Sequence, residues 1–267
     1  MHGEKTSMTN IFKHDIYRFS KSKLLYSILL LTAIIPFSLA MIVRQDIRLG
    51  INFIGSMTAF VAFDDIIRTG LIYHSGLGIL VAVIISVFIG QEYKYNTWQH
   101  KWIISKSRVG IYLSKLIISI AISAVIFLLF QGTILLASNQ TSSMLTYEYT
   151  LTIISGVFIY AALGSVICTL SILIKNSTVS IVASIGYVLF IGRLAFIILG
   201  VVRNLYLPET IFTVTQWFVR HSIFGMSTAI VTLPTTISLT VNIVINALSI
   251  MIISMSIGLL AFRKYEL

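Results

Sequence analysis

The sequence contains few of the residues that cross-link a chain, bend it or make it soluble. It has one cysteine, three prolines and only 10% charged residues among 267. The single cysteine, Cys168, excludes a disulfide within the chain and a cysteine-based zinc site. Because a soluble globular domain carries about 25% charged residues, this scarcity of charge indicates an integral membrane protein.

Motifs of enzymes that power or catalyse their own reaction are also missing. No Gly-Lys pair occurs in the sequence, so it has no P-loop to hold ATP phosphates. Neither an H-E-x-x-H zinc motif nor a G-x-S-x-G nucleophile motif is present. The acids fall in loops or at helix ends, whereas a proton relay would need them inside the apolar segments. Any transport by this chain would therefore draw its energy from a partner.

Apolar residues instead form continuous runs of about 20 residues, which is the length of a transmembrane helix. Helices are expected because they close all backbone hydrogen bonds internally in lipid. The pattern predicts an all-α integral membrane protein, with residues 1–267 forming one transmembrane domain. The six predicted transmembrane helices are residues 24–43, 71–90, 109–137, 151–174, 178–202 and 236–262.

The residues before the first span predict a helix lying on the membrane surface. Phe12, Ile16 and Phe19 recur at helical spacing among basic residues of the segment 1–23. The following apolar run is too long for the core of a cleaved signal peptide, which has about 7–15 residues.

The basic residues predict the orientation of the chain. Lys and Arg concentrate in residues 1–23 and 94–115, and are sparse in residues 44–70 and 138–150. The positive-inside rule therefore predicts that both termini are cytoplasmic.

Two apolar segments are harder to interpret. Residues 51–63 are too few to span and predict a surface or re-entrant segment. Residues 210–231 could form a seventh span, but Arg220 and His221 would then lie inside the membrane at high cost. A re-entrant segment within the outer loop 203–235, before the sixth span, is the preferred interpretation.

One polar stretch separates the second and third predicted spans. Residues 90–115 read GQEYKYNTWQHKWIISKSRVGIYLSK. Tyr95, Trp98 and Trp102 share one helical face, and an acid at the start with bases towards the end suits the helix dipole. The stretch predicts an amphipathic helix at the membrane surface. A loop that only anchors the chain at lipid headgroups is the alternative.

The run Gly90-x-Glu92-Tyr93, followed by Thr97-Trp98, Ser107-Arg108 and Lys115, resembles a loop of ABC-2 type (type-2) ABC transporter permeases. In that family the loop follows the second membrane helix and has the form E-[YF]-x-x-G-T, then S-R, then K. The sequence departs from it at Asn96, where the family usually has glycine; both residues tolerate a turn. The six-helix layout extends the resemblance over most of the chain.

The resemblance implies a permease subunit that is not an enzyme. Such subunits work in a homo- or heterodimer, docked on a separate ATP-binding cassette ATPase that holds ATP and Mg²⁺. No catalytic, cofactor or metal site is expected in this chain, and nucleic acid is not an expected partner. The resemblance further implies a coupling helix in the loop 91–108, which docks on the ATPase. The residues expected to shape or dock it are Glu92, Tyr93, Thr97, Trp98, Arg108 and Lys115.

Arg193 interrupts the fifth apolar run. A charge at that position is costly in lipid, so its side chain either reaches the outer surface or faces the substrate path or the dimer interface.

The substrate class is suggested by analogy alone. The small size, the compact outer loops and the composition are similar to permeases that export antimicrobial or other amphipathic peptides, including lantibiotic immunity systems, across the plasma membrane of Gram-positive bacteria. A membrane sensor or immunity protein without transport activity is the first alternative and would have no stable ATPase partner. An intramembrane enzyme is the second, and it would need paired acids or an acid–histidine set within the helices.

Overall fold

The computed structural model describes residues 2–45, 47, 49–53, 56–95, 97, 108–138, 146–204 and 208–263. Most of these residues are helical. The helices are α1 (His2–Ser20), α2 (Lys23–Arg44), α3 (Phe63–Leu71), α4 (Leu77–Lys94), α5 (Arg108–Ser138), α6 (Tyr147–Leu173), α7 (Ser177–Asn204), α8 (Glu209–His221), α9 (Ile223–Thr232) and α10 (Ile237–Arg263). Two short strands, β1 (Leu49–Phe53) and β2 (Ser56–Phe60), lie between α2 and α3.

Six helices in the described part of the chain are long and apolar enough to cross a membrane: α2, α4, α5, α6, α7 and α10. The predicted helical membrane fold with six spans is therefore confirmed. The second span begins later than the sequence pattern suggests, at Leu77 rather than at residue 71. Gly76 has a φ of 128°, a backbone conformation that a helix cannot contain, and so separates α4 from the preceding 3₁₀ turn Tyr73–Ser75.

The segment between α2 and α3 forms an antiparallel hairpin that the sequence analysis did not anticipate. Leu49 pairs with Phe60 and Phe53 pairs with Ser56. The two short strands therefore form hydrogen bonds between some of their backbone N–H and C=O groups. The carboxylate of Asp65 then accepts hydrogen bonds from the backbone N–H groups of Val61 and Ala62, at 3.0 and 2.9 Å. These bonds fix the start of α3.

Helix α6 lies at the centre of the bundle and packs against α4, α5 and α10. The rings of Phe127 and Tyr160 stack with centroids 4.9 Å apart between α5 and α6. The hydroxyl of Tyr160 donates to the carbonyl of Gly70 at 2.7 Å, which attaches α3 to this core.

Polar side chains inside the spans bond to one another, as they must where water is absent. Ser86 of α4 donates to Ser184 of α7 at 2.8 Å and lies 3.2 Å from Ser171 of α6. Tyr112 of α5 lies 3.1 Å from Thr169 of α6 in a second hydroxyl pair. These contacts specify which helices are neighbours.

The region between α7 and α10 contains two short helices, α8 with 13 residues and α9 with 10. Neither has the roughly 20 residues that a membrane-spanning helix needs. They meet at Ser222, whose hydroxyl accepts a hydrogen bond from the N–H of Gly225 at 3.1 Å and so begins α9.

Candidate functional site

Helix α1 packs against α5 through one face that carries an acid among apolar residues. Phe12, Asp15 and Phe19 recur at i, i+3 and i+7 and therefore share that face. The two phenylalanines pack on the core, and the side chain of Asp15 is fully buried. Ile16, which the sequence analysis assigned to the apolar stripe, is instead 44% exposed, because the packed face runs through Asp15.

Four charged side chains meet where α1, the end of α4 and the start of α5 come together. The Nζ of Lys115 lies 3.0 Å from Asp15 Oδ1 and 2.5 Å from Glu92 Oε1. Arg18 Nη2 lies 2.7 Å from the same Glu92 oxygen. We call Asp15, Arg18, Glu92 and Lys115 the ion network. It has two acids and two bases, so its formal net charge is zero.

A hydroxyl and an aromatic ring are in contact with the ion network. Ser114 donates a hydrogen bond to Asp15 Oδ2 at 2.7 Å. The ring of Phe88 lies under both cations, with its centroid 4.1 Å from Lys115 Nζ and 5.3 Å from Arg18 Cζ. Cation–π contacts are strongest where water is excluded, and Asp15, Glu92 and Lys115 are each 0% exposed.

The residues after Phe88 also attach the end of α4 to two further spans. The hydroxyl of Tyr93 donates to the carbonyl of Ile172 at 2.8 Å, near the end of α6. Gly90 lies so close to Ser177 that an added Cβ would be 2.9 Å from Ser177 Cα. The end of α4 is thus in contact with α1, α5, α6 and α7, and a displacement there would act on all four.

The structure brings together only part of the predicted coupling set. Glu92 and Lys115 are paired in the ion network, and Tyr93 lies beside them on α4. Thr97 is half-buried, and its hydroxyl has no hydrogen-bond partner in the structure as described. Trp98 lies outside the described residues. Arg108 begins α5, but its side chain is not among those described.

Sequence reasoning missed Asp15, Arg18 and Ser114. The signal for Asp15 was present, because it is an acid in a basic helix and lies on the same face as Phe12 and Phe19. Glu92 carries the same signal, as an acid in a basic loop. Arg18 and Ser114 carry no comparable signal, since a basic residue and a serine are ordinary at a membrane surface.

Arg193 lies on α7 with its side chain exposed, away from the ion network. It is close enough to His74 to affect that residue's titration. The ring of His74 lies 5.5 Å from that of Tyr73 and 5.7 Å from that of Phe224. Burial, and secondarily the positive charge of Arg193, lower the pKa of His74 below its ordinary value of 6.5.

The lowered pKa of His74 predicts a loss of stability in acid. Above about pH 6.5 His74 is neutral in both states and its contribution to stability is fully present. As the pH falls, the unfolded chain takes up the proton first, so this contribution is lost as the pH falls through the folded-state pKa. We expect the melting temperature to fall less between neutral pH and about pH 5 in His74→Asn than in the wild type. Equal losses in both proteins would contradict this role.

The fold and the ion network define a multi-pass helical membrane protein whose helix α1 is joined by ion pairs to the end of the second span and to the beginning of the third. A family model described as "ABC-2 family transporter protein" matches residues 11–192. This match covers more than half of the chain, including the whole ion network, and the chain therefore belongs to the ABC-2 transporter family. Members of this family are membrane permease components of ABC transporters, and the ATPase is on a separate partner subunit. No match to the chain is found among curated proteins.

Proposed function

We propose that this chain is the permease subunit of an exporter for amphipathic or antimicrobial peptides or other hydrophobic substrates. It would act as a homo- or heterodimer in the plasma membrane of a Gram-positive bacterium, with both termini cytoplasmic and α8 and α9 re-entrant from the outer side. A partner ATPase, with its ATP and Mg²⁺, would dock on the loop that begins after α4. Peptide immunity is the physiological role that this reading favours.

The observation that carries the proposal is the ion network. Glu92 lies at the start of the proposed coupling loop and Lys115 lies two turns into α5, beyond the end of the loop; they are ion-paired to each other and to α1. A force applied to the loop by closing ATPase subunits would therefore move α1, α4 and α5 together, because separating buried opposite charges is costly. The network would convert a local push into a displacement of several helices.

Each member of the predicted coupling set has a role in this proposal. Glu92 and Lys115 would hold the two ends of the loop together. Tyr93 would pass the displacement to α6, and Arg108 would fix the start of α5. Thr97 and Trp98 would contact the ATPase directly, since they follow α4 within the proposed docking loop.

Arg193 has a separate role in this proposal. It is exposed on α7 beside apolar residues such as Leu194 and Ile197, which are also exposed. This face of α7 would contact the second permease subunit or the substrate path.

Docking is tested by purifying the tagged chain from its native membrane in mild detergent and identifying co-purified proteins by mass spectrometry. A stoichiometric ATPase with a P-loop is expected. Trp98→Ala should reduce its recovery by roughly 30-fold, since a tryptophan at the centre of an interface contributes about 2 kcal/mol or more. Trp217→Ala on α8 is the matched control and should leave recovery unchanged.

Recovery of the chain alone, under conditions that preserve other ABC complexes, would overturn the proposal. It would favour a membrane sensor or immunity protein that binds a ligand without transporting it. Equal loss of the ATPase in Trp98→Ala and Trp217→Ala would reject the loop as the docking site.

A further inference from the structure

A cavity of about 500 Å³ lies between α8, α9 and the first turns of α10. The polar residues of its lining come from two helices: Thr213, Gln216, Arg220 and His221 of α8, and Asn242 and Asn246 of α10. The volume is within the range of roughly 300–1,000 Å³ that small-molecule sites occupy. The cavity is remote from the ion network, which is built from α1, α4 and α5.

The polar groups lie beside a membrane-spanning segment and not beyond its end. Helix α10 begins at Ile237, and Asn242 and Asn246 follow five and nine residues later. At 1.5 Å per residue, they lie roughly 8 and 14 Å along the helix axis. Arg220 and His221 line the same cavity. A ligand bound there would have its polar part beside the first three turns of α10.

The side chains of Arg220, Asn242 and Asn246 have no hydrogen bond or ion pair with any residue that the structure describes, and those of Arg220 and Asn242 are exposed. No acid belongs to the described lining of the cavity. An arginine beside a membrane span is costly unless it meets an anion or a hydrogen-bond acceptor. The cavity therefore supplies hydrogen-bond donors and positive charge, but the described lining contains no anion to pair with them.

The second basic residue is held in place by its own helix. The Nδ1 of His221 donates a hydrogen bond to the carbonyl of Trp217 at 2.7 Å, and the two rings stack with centroids 4.3 Å apart. With the proton of a neutral ring on Nδ1, Nε2 is an acceptor, and it becomes a second donor only when the ring is protonated. Arg220 and His221 are successive residues in the last turn of α8, and both line the cavity.

Apolar residues complete the described lining. They include Met226 and Ala229 of α9, and Leu239 and Ile243 of α10, which lie on the same face of α10 as Asn242 and Asn246. The exposed residues Trp217 and Ile245 continue this apolar surface outwards. The site therefore combines an anion-binding end with surface suited to hydrocarbon chains, and its volume is too small for a complete lipid.

We propose that this cavity binds the phosphate headgroup of an anionic phospholipid, whose acyl chains lie along α8 and α10. The planar guanidinium of Arg220 fits two phosphate oxygens, and the amides of Asn242 and Asn246 donate to the others. A headgroup that also carries an ammonium is disfavoured, because no described acid in the cavity would balance it. Binding at this site does not depend on whether the chain couples to an ATPase.

The test is native mass spectrometry of the purified chain with phosphatidylglycerol, phosphatidylcholine or inorganic phosphate added separately. Phosphatidylglycerol is expected to bind in preference to phosphatidylcholine. Arg220→Gln should weaken this binding roughly tenfold, since hydrogen bonds between charged groups contribute more than 1.4 kcal/mol. Arg203→Gln removes the same charge from the end of α7, outside the cavity, and should bind as the wild type does.

Asn246→Leu provides a second variant that keeps the charge of Arg220 and should also weaken phosphatidylglycerol binding. Its melting temperature identifies any loss caused by misfolding. Equal binding of the two phospholipids, or equal effects of Arg203→Gln and Arg220→Gln, would overturn the proposal, because both indicate general attraction to the membrane. Binding of inorganic phosphate as strong as that of the lipid would replace the lipid with a free anion. Preference for a peptide with a free C-terminal carboxylate over anionic lipid would reject the lipid assignment.

Discussion

Replacing Glu92 by Gln is expected to lower the free energy of unfolding by about 3–5 kcal/mol, because it removes a buried carboxylate and leaves the ion network with a net positive charge. Arg18 and Lys115 both contact the same Glu92 oxygen, so one substitution removes a partner from each. Lys115→Met should destabilise by a similar amount, because Asp15 and Glu92 then lose their shared cation. Thermal unfolding in detergent, followed by fluorescence or by aggregation, measures both effects.

The double variant Glu92→Gln with Lys115→Met makes this prediction specific. The double variant returns the ion network to zero net charge. Its loss of stability should therefore be smaller than the sum of the losses in the two single variants, by about 0.5–3 kcal/mol. The exposed residues Glu148 and Lys13 provide matched controls, and Glu148→Gln and Lys13→Met should each change stability by less than about 0.5 kcal/mol. Strict additivity in the double variant would mean that the two side chains do not interact in solution.

Gly90→Ala is expected to destabilise the protein by about 1–3 kcal/mol through overpacking. The new Cβ would lie 2.5 Å from Ser177 Oγ and 2.9 Å from Ser177 Cα, so α4 and α7 would have to separate. Since the end of α4 carries Glu92 and Tyr93, this separation should also reduce the ATPase coupling proposed above.

Gly186→Ala is the matched control for Gly90→Ala. Gly186 also lies within a membrane-spanning helix, but a Cβ there would meet no atom within 4 Å. The alanine should be neutral, or stabilising by up to about 1 kcal/mol from its higher helix propensity. Melting temperatures of the two variants in the same detergent make the comparison. Equal melting temperatures for Gly90→Ala and Gly186→Ala would mean that the close contact between Gly90 and Ser177 is absent in solution.

The six spans could be predicted because length and continuous apolarity are properties of the sequence alone. The start of α4 could not, because the positive φ of Gly76 depends on how the preceding 3₁₀ turn packs, and glycine also occurs inside the spans. The hairpin between α2 and α3 was missed because a short apolar run gives no clear strand or helix period. Local pattern therefore predicted the membrane layout better than it predicted the connections.

Glu92 could be singled out because anchoring at lipid headgroups explains the basic residues of the loop but not an acid among them. Its pairing with Lys115 and Arg18 could not be predicted, because these contacts join residues far apart in the sequence. The cavity beside Arg220 was similarly hidden, although Arg220 and His221 had already argued against a seventh span. An isolated charge in an apolar sequence indicates that a partner exists, but only the packed structure identifies that partner.

The ion network also constrains the order in which the protein can assemble. Asp15 is synthesised roughly 100 residues before Lys115, which at about 5–20 residues per second is a delay of about 5–20 seconds. During that interval the carboxylate must stay hydrated, because burying it without a cation is too costly. Helix α1 therefore has to remain hydrated while α2, the hairpin, α3 and α4 emerge, and it docks only once α5 is in place. A helix that is made before all six spans would be among the last to reach its final position.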